Sequence, residues 1–241
     1  MIVFYFLGAI LALALIIFLT YKRLVLMMVK LFYSKYSYKY LRVYKGFYYT
    51  SPFGYCIRDD ISQHLLPFVG PEKDLPVFKT KKHITFGNWD FYSKMSKIRK
   101  KQGKPICFNA FKLGKTHFRI LGYRDMLANI PTRVLYFGLD NHFFMGEYVF
   151  KKIAENQKKF ILESLEKKYL GEKVGTDKMF YIQESENRKI HFRDTGFSLI
   201  ITYIDLAEQQ TRESLNNVYQ QLQDMGDQFK KEQAEEESIE L

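Results

Sequence analysis

The residues best suited to chemistry in this sequence are Gly114-Lys115-Thr116, because this tripeptide ends the phosphate-binding loop of many nucleotide hydrolases. That loop follows the pattern GxxxxGK[ST], in which the glycines let backbone N–H groups wrap the phosphates. Asn109 occupies the position of the first glycine, and the segment reads NAFKLGKT. The sequence therefore argues against a nucleotide-hydrolysing site here.

Histidines are the next candidates, because they serve as metal ligands and as general bases. No two of them stand four residues apart, and no HExxH motif occurs. The five histidines are His64, His83, His117, His142 and His191. We therefore predict no metal site and no cofactor.

Cys107 and Glu147 are the remaining reactive side chains that the pattern singles out. Cys107 next to a histidine in space would form a nucleophile–base pair, but a small buried residue in a strand is the favoured interpretation. Glu147 lies in an apolar strand, where it either faces solvent, as favoured here, or is a buried acid that marks a site. No GxSxG motif is present. We assign no catalytic residue, and an enzyme of unrecognised type stays an open alternative.

The longest apolar stretch is Ile2–Thr20, nineteen residues without charge or proline. As a helix it would measure roughly 28 Å, close to the ~30 Å hydrocarbon core of a bilayer. No basic residue precedes it and its end is bulky, which argues against a cleaved signal peptide. Residues 1–21 are therefore predicted to be a single transmembrane anchor, with a signal peptide and a buried core helix as alternatives.

Basic residues follow this stretch directly, and lysine and arginine near a span stay cytoplasmic. The prediction is an N-terminus outside the membrane and a cytosolic C-terminal domain. Cys56 and Cys107 are the two cysteines, and neither belongs to a CxxC motif. Two cysteines are too few for a disulfide framework, which agrees with a reducing compartment.

Charge is distributed unevenly along the chain, whose formal net charge is +11. Residues 1–104 carry 18 basic and 5 acidic side chains, whereas residues 205–241 carry 3 basic and 10 acidic ones. A basic half beside an anchor favours anionic membrane lipid as a partner. Nucleic acid is the alternative partner.

Residues 22–49 are predicted to form a basic, aromatic juxtamembrane helix, because tyrosines and lysines alternate there. The predicted headgroup contacts are Lys22, Arg23, Lys30, Lys35, Lys39, Arg42 and Lys45. A platform on which bases stack between basic residues is the alternative. The basic run KMSKIRKKQGK at 94–104 is either a solvated surface or a phosphate contact.

Residues 50–205 are predicted to form an α+β domain. Two aromatic, β-branched runs, 134–139 and 142–150, flank the turn pair Asp140-Asn141 and predict a hairpin. One or two helical turns are expected at 115–121 and a helix at 151–170, stopped by Gly171. Strands are expected at 105–111, 179–183, 189–193 and 197–204. Short connections favour an antiparallel sheet with helices packed on one face.

Residues 206–241 are predicted to form an amphipathic helix with an acidic tail. The apolar seam has spacings typical of a short coiled coil: Leu215, Val218, Leu222, Met225 and Phe229. About two heptads are marginal alone, so the seam needs a partner. Docking on another protein is favoured over packing on the protein's own sheet.

The function expected from these features is binding rather than catalysis. The prediction is a single-pass interaction or scaffold protein that presents an α+β domain at the inner face of the membrane. A membrane-tethered nucleic-acid-binding protein and an enzyme of unrecognised type are the alternatives.

Overall fold

The computed structural model describes residues 17, 20–57, 64, 68, 75–113, 115–174, 178–217 and 219–220. The chain divides into two compact units, Met1–Gly54 and Tyr55–Leu241. In the first unit, helix α1 covers residues 20–33 and helix α2 covers Tyr38–Tyr48. The second unit contains the sheet and its covering helices.

The predicted single helix over 22–49 is interrupted, which corrects the juxtamembrane prediction. Ser34 has a left-handed backbone (φ 65°), which is unfavourable inside a helix. The Ser37 side chain then accepts a hydrogen bond from the Tyr40 N–H at 3.1 Å and caps the new helix. Two short helices therefore replace one long helix.

No helix in the described part of the chain is both long and apolar enough to cross a membrane. This finding contradicts the single-pass anchor and the membrane localisation. Except for Ile17 and Thr20, the stretch that prompted them lies outside the described residues. The adjoining helix α1 fails on two counts: residues 20–33 rise only roughly 21 Å, and they include Lys22, Arg23 and Lys30.

The second unit is built on one eight-stranded sheet of order β1-β6-β7-β8-β5-β4-β3-β2. The strands are β1 Val77–Lys79, β2 Cys107–Leu113, β3 Thr116–Leu127, β4 Ile130–Leu139, β5 His142–Lys151, β6 Met179–Ser185, β7 Arg188–Asp194 and β8 Ser198–Asp205. All neighbours are antiparallel except β1 and β6. The α+β class is confirmed, but the sheet is mixed rather than antiparallel, because no hairpin ties β1 to β6.

The β4–β5 hairpin is confirmed at its predicted turn. Asp140 and Asn141 both have positive φ angles, 44° and 76°, as the commonest two-residue hairpin turns require. The helical turns expected at 115–121 are wrong, because this segment belongs to β3. Phe118 and Ile120 are fully buried two residues apart, a strand period rather than a helix period.

The sheet has two faces, each crossed by a continuous row of paired residues. The glutamate face carries the row Cys107, Gly122, Leu135, Glu147, Thr202, His191, Tyr181 and Val77. The tyrosine face carries the row Phe108, Leu121, Tyr136, Gly146, Tyr203, Ile190, Ile182 and Phe78. Since strand side chains alternate, each residue is committed to one face.

Helices cover both faces, which contradicts the predicted packing on one face. On the tyrosine face lie α3 (Met95–Gln102), whose Met95 occupies the space above Gly138, and α4 (Glu155–Leu165). A π-helical turn, Glu166–Leu170, continues α4. On the glutamate face, α5 (209–217) contributes the buried Leu215. Because each face of the sheet has a buried core, each side requires a cover.

The core of the glutamate face contains Phe137 and Phe144, both fully buried. This confirms that the aromatic hairpin supplies core. Phe86 is the counterpart on the tyrosine face, where it fills the space above Gly146; a β-carbon there would lie 2.4 Å from the Phe86 ring. The two faces are thus packed by different segments of the chain.

Candidate functional site

Glu147 lies at the centre of the glutamate face and is 1 % exposed. His64 Nδ1 lies 3.2 and 3.1 Å from its two carboxylate oxygens, and the Thr202 hydroxyl donates to Oε1 at 3.1 Å. The expectation that Glu147 faces solvent is therefore wrong. A buried carboxylate needs such partners, since burial of an unpaired charge is very costly.

A disulfide joins Cys56 to Cys107, which lies at one end of the row that contains Glu147. Gly122 makes room for it, because a β-carbon at this position would lie 2.2 Å from the Cys107 sulfur. Arg133 Nη2 donates to the Tyr55 carbonyl at 3.1 Å and to the Cys56 carbonyl. Burial lowers the pKa of Arg133, and Glu147 opposes that change. The arrangement fastens the segment at 55–57 to the sheet edge.

The disulfide bears on the predicted compartment and on the predicted chemistry. Structural disulfides are rare in the cytosol, so this one argues against a cytosolic, reducing location. While oxidised, Cys107 has no thiolate to act as a nucleophile. Glu147 does contact a histidine, as the enzyme alternative required. Cys107, however, lies three strands away from Glu147 in the row, because Leu135 and Gly122 stand between them. The disulfide and the buried Glu147 of the glutamate face therefore stabilise the fold.

The tyrosine face contains an open pocket of about 210 Å³ between α4 and the sheet. Apolar side chains form its walls and two tyrosines its floor: Leu127, Phe150, Phe160, Ile161, Leu165 and Ile201, with Tyr148 and Tyr203. Lys168 stands at the edge, 4.8 Å above the Tyr169 ring. We call this the apolar pocket.

The mouth of the apolar pocket is exposed and apolar. Phe160 is 52 % exposed, and Met126, next to the wall residue Leu127, is 57 % exposed. Two backbone features border the mouth: Ala128 has a left-handed conformation (φ 50°), and the π-helical turn begins after Leu165. The π-helical turn is uncommon and such turns occur frequently at functional sites, whereas the positive φ angles of Ala128 and Asn129 are those that the two-residue turn between β3 and β4 requires.

The chain matches no family model, no curated protein and no solved structure. The chemistry of the pocket must therefore be argued from its residues alone.

The tyrosines beneath the pocket stay protonated. Burial raises the pKa of Tyr148 and that of Tyr203, and the neighbouring tyrosines add to both increases. Tyr148 and Tyr203 lie 5.8 Å apart between ring centroids. A neutral phenol donates hydrogen bonds but is a poor base or nucleophile at physiological pH. The floor is therefore suited to binding.

The predicted headgroup contacts all lie in the first unit and are mostly exposed. Lys22 donates to the Phe47 carbonyl at 3.4 Å, and Lys39 lies 4.0 Å above the Tyr33 ring. Lys35 lies 5.1 Å above the Tyr36 ring. Arg23, Lys30, Arg42 and Lys45 are exposed. Their role stays a prediction.

The predicted partner-helix seam is described at one position. Leu215 is 1 % exposed and belongs to the core of the glutamate face. Val218, Leu222, Met225 and Phe229 lie outside the described side chains. The start of this helix therefore packs on its own sheet, and docking beyond it stays a prediction.

The other candidates are placed as follows. Lys115 and Thr116 belong to the β2–β3 turn and strand, not to a helix start, which removes the geometry of a phosphate loop. Within the described ranges, no group of three metal-binding side chains comes together. Phe160, Ile161 and Leu165 fall within the helix predicted at 151–170, but their pocket also needs Leu127 and Tyr148 from distant strands. No signal in the sequence joins these segments.

Proposed function

We propose that the sheet unit is a protein-binding module that captures one apolar side chain of a partner protein in the apolar pocket. The observation that carries this proposal is the exposed aromatic Phe160 at the mouth of a pocket whose walls are apolar. Exposed apolar surface around a cavity is typical of interaction sites. This keeps the predicted interaction function without the membrane location.

The size of the pocket favours a side chain over a free ligand. Pockets for drug-sized molecules measure about 300–1,000 Å³, well above the 210 Å³ found here. Protein interfaces concentrate their binding energy in a few residues that fill such pockets. An aromatic or branched aliphatic residue of the partner fits the volume and the walls.

The polar groups favour a partner with an acidic residue beside its apolar anchor. Lys168 is exposed at the pocket edge and is held over Tyr169. A carboxylate contacting Lys168 at the rim would add specificity and speed of association more than affinity. Tyr148 and Tyr203 line the pocket below, and their rings suit an aromatic or aliphatic anchor.

Catalysis is disfavoured by the same groups. Among the described residues that line the pocket there is no carboxylate, histidine or cysteine. Tyrosines with a raised pKa hold their protons at neutral pH, so they supply neither a base nor a nucleophile. Binding is the chemistry that these side chains support.

The test places a photo-crosslinking amino acid at position 160 of the full chain in its native host. Val77, in the edge strand β1, is the matched control position, because it is 50 % exposed and absent from the pocket lining. We expect a discrete crosslinked protein from position 160 and none from position 77. The same product from both positions, or no product from 160, would reject the proposal.

A further inference from the structure

The basic helix α3 presents exposed lysines to solvent at its surface and at both of its ends. Met95 and Ile98 are buried and fix one side of the helix to the sheet. Lys97 and Lys101 lie one turn apart on one helix face, Lys94 is the N-cap residue, and Lys104 follows the C-cap residue Gly103. All four lysines are exposed. We call these four residues the lysine stripe.

The lysine stripe is not neutralised within the described part of the chain. None of its members forms an ion pair with a described carboxylate. Lys101 lies 5.1 Å above the Trp89 ring, a contact that keeps its charge. The first turn of α3 contains no acidic residue. The stripe therefore retains its positive charge.

Further basic residues extend the stripe at its N-terminal end. The Met95 N–H donates to the Asn141 carbonyl at 2.8 Å, which fixes this end beside the β4–β5 turn. The Asp140 N–H in that turn donates to the His117 carbonyl at 2.9 Å, so the β2–β3 turn with the exposed Lys115 lies close by. Two acids lie at this end: Asp140 accepts a hydrogen bond from the N–H of His117 at 2.9 Å, and Asp90 lies in the turn before α3, with no described ion pair to the stripe.

We propose that the lysine stripe binds the phosphate backbone of a nucleic acid. Lys97 and Lys101 are separated by roughly 6 Å along the helix axis at 1.5 Å per residue, and Lys94 and Lys104 flank them at the two helix ends. Phosphates repeat every ~3.4 Å of helix axis along one strand, so each of the four exposed lysines can take one phosphate of a backbone that passes along α3. Lysine binds phosphate as a point charge and needs no fixed geometry.

An acidic protein is the less favoured partner of the stripe. Protein interfaces centre on buried apolar or aromatic anchors, whereas Met95 and Ile98 are already buried in the core. Trp89 is 6 % exposed and lies beneath Lys101, so it offers no platform for base stacking. Binding is therefore expected to be independent of base sequence.

The test measures the affinity of the full, oxidised chain for a short fluorescent DNA duplex at several salt concentrations. Four neutralised phosphates predict a slope of about −3.6 in log K against log salt, which is roughly a hundredfold loss between 50 and 200 mM. The double variant K97Q/K101Q removes two contacts and should reduce the slope by about 1.8. The matched control K81Q/K82Q changes two exposed lysines outside α3 and should leave the slope unchanged.

Two results would overturn this inference. One is a K97Q/K101Q slope equal to that of K81Q/K82Q, which would assign DNA binding to net charge alone. The other is competition by poly-glutamate as effective as competition by unlabelled duplex, which would assign the stripe to an acidic protein. Circular dichroism and a melting curve confirm that both double variants are folded.

Discussion

The two faces of the sheet use the same strands for different purposes. The glutamate face is closed by a buried carboxylate, a disulfide and Leu215, and its polar groups contact one another. The tyrosine face is aromatic and has an open pocket with Phe160 at its mouth. The comparison teaches that reactive residue types can serve the structure, while plain apolar residues line the open pocket for which we propose a binding function.

The largest effect is expected in the core of the glutamate face. Phe137→Ala should lower the free energy of unfolding by about 3–5 kcal/mol, because Phe137 is fully buried and its removal leaves a cavity. Chemical denaturation of the full chain measures the change. Phe197→Ala is the control, because Phe197 is 88 % exposed. Equal stability of the two variants would show that the core is misplaced.

Reduction of the disulfide should be nearly as damaging. Cys56 and Cys107 are 51 residues apart, and a loop of this length predicts a loss of about 4 kcal/mol on the loop-entropy estimate. Unfolding curves with and without a reductant measure the loss. The double variant C56S/C107S is the control and should not respond to reductant. A wild-type chain indifferent to reductant would refute the fastening role of the bond.

Substitution of Glu147 is expected to have a smaller effect. Glu147→Gln removes the charge that His64 and Thr202 contact, and a buried hydrogen-bonding group left with poorer partners costs about 1–3 kcal/mol. Glu163→Gln, on the exposed side of α4, is the control. If both variants unfold at the same denaturant concentration, the buried cluster contributes nothing to the closure of this face.

The stability of the fold at alkaline pH should depend on a buried tyrosine of the tyrosine face. Burial raises the pKa of Tyr136 to about 12 from an ordinary value of 10. Because folding raises this pKa, Tyr136 loses its phenol proton at a lower pH in the unfolded chain than in the folded chain. The contribution of Tyr136 to stability is therefore complete below about pH 10 and falls as the pH rises through the pKa of the folded state. Tyr136→Phe should flatten this fall. The fall is measured by denaturation at several alkaline pH values, and an unaltered profile in the variant would contradict the assignment.

Local signals in the sequence were sufficient for several elements. Asp140-Asn141 between two aromatic runs fixed the β4–β5 hairpin, and Gly171 (φ 77°) ended the predicted helix. The error at 115–121 was avoidable, because Phe118 and Ile120 alternate with polar residues at the strand period. Hairpin turns and helix ends can be predicted from the sequence because they depend on residues that are close together in it.

The candidate site was not readable for the opposite reason. Glu147 contacts a histidine 83 residues earlier, and the disulfide joins cysteines 51 residues apart. The apolar pocket combines a hairpin tip, two strands and a helix. Such long-range contacts depend on the strand order β8-β5-β4, which no local propensity encodes. The sequence predicted the helix that contains α4 but not which strands lie opposite it.

The most direct test of the binding face fills the pocket without touching the core. Ser164 lines the apolar pocket from the exposed side of α4, so Ser164→Trp should occupy the cavity while the chain stays folded. With the photo-crosslinker at position 160, this variant should lose at least nine-tenths of the crosslinked partner and keep its melting temperature. Undiminished crosslinking by a folded Ser164→Trp chain would contradict the central claim that partners enter this pocket.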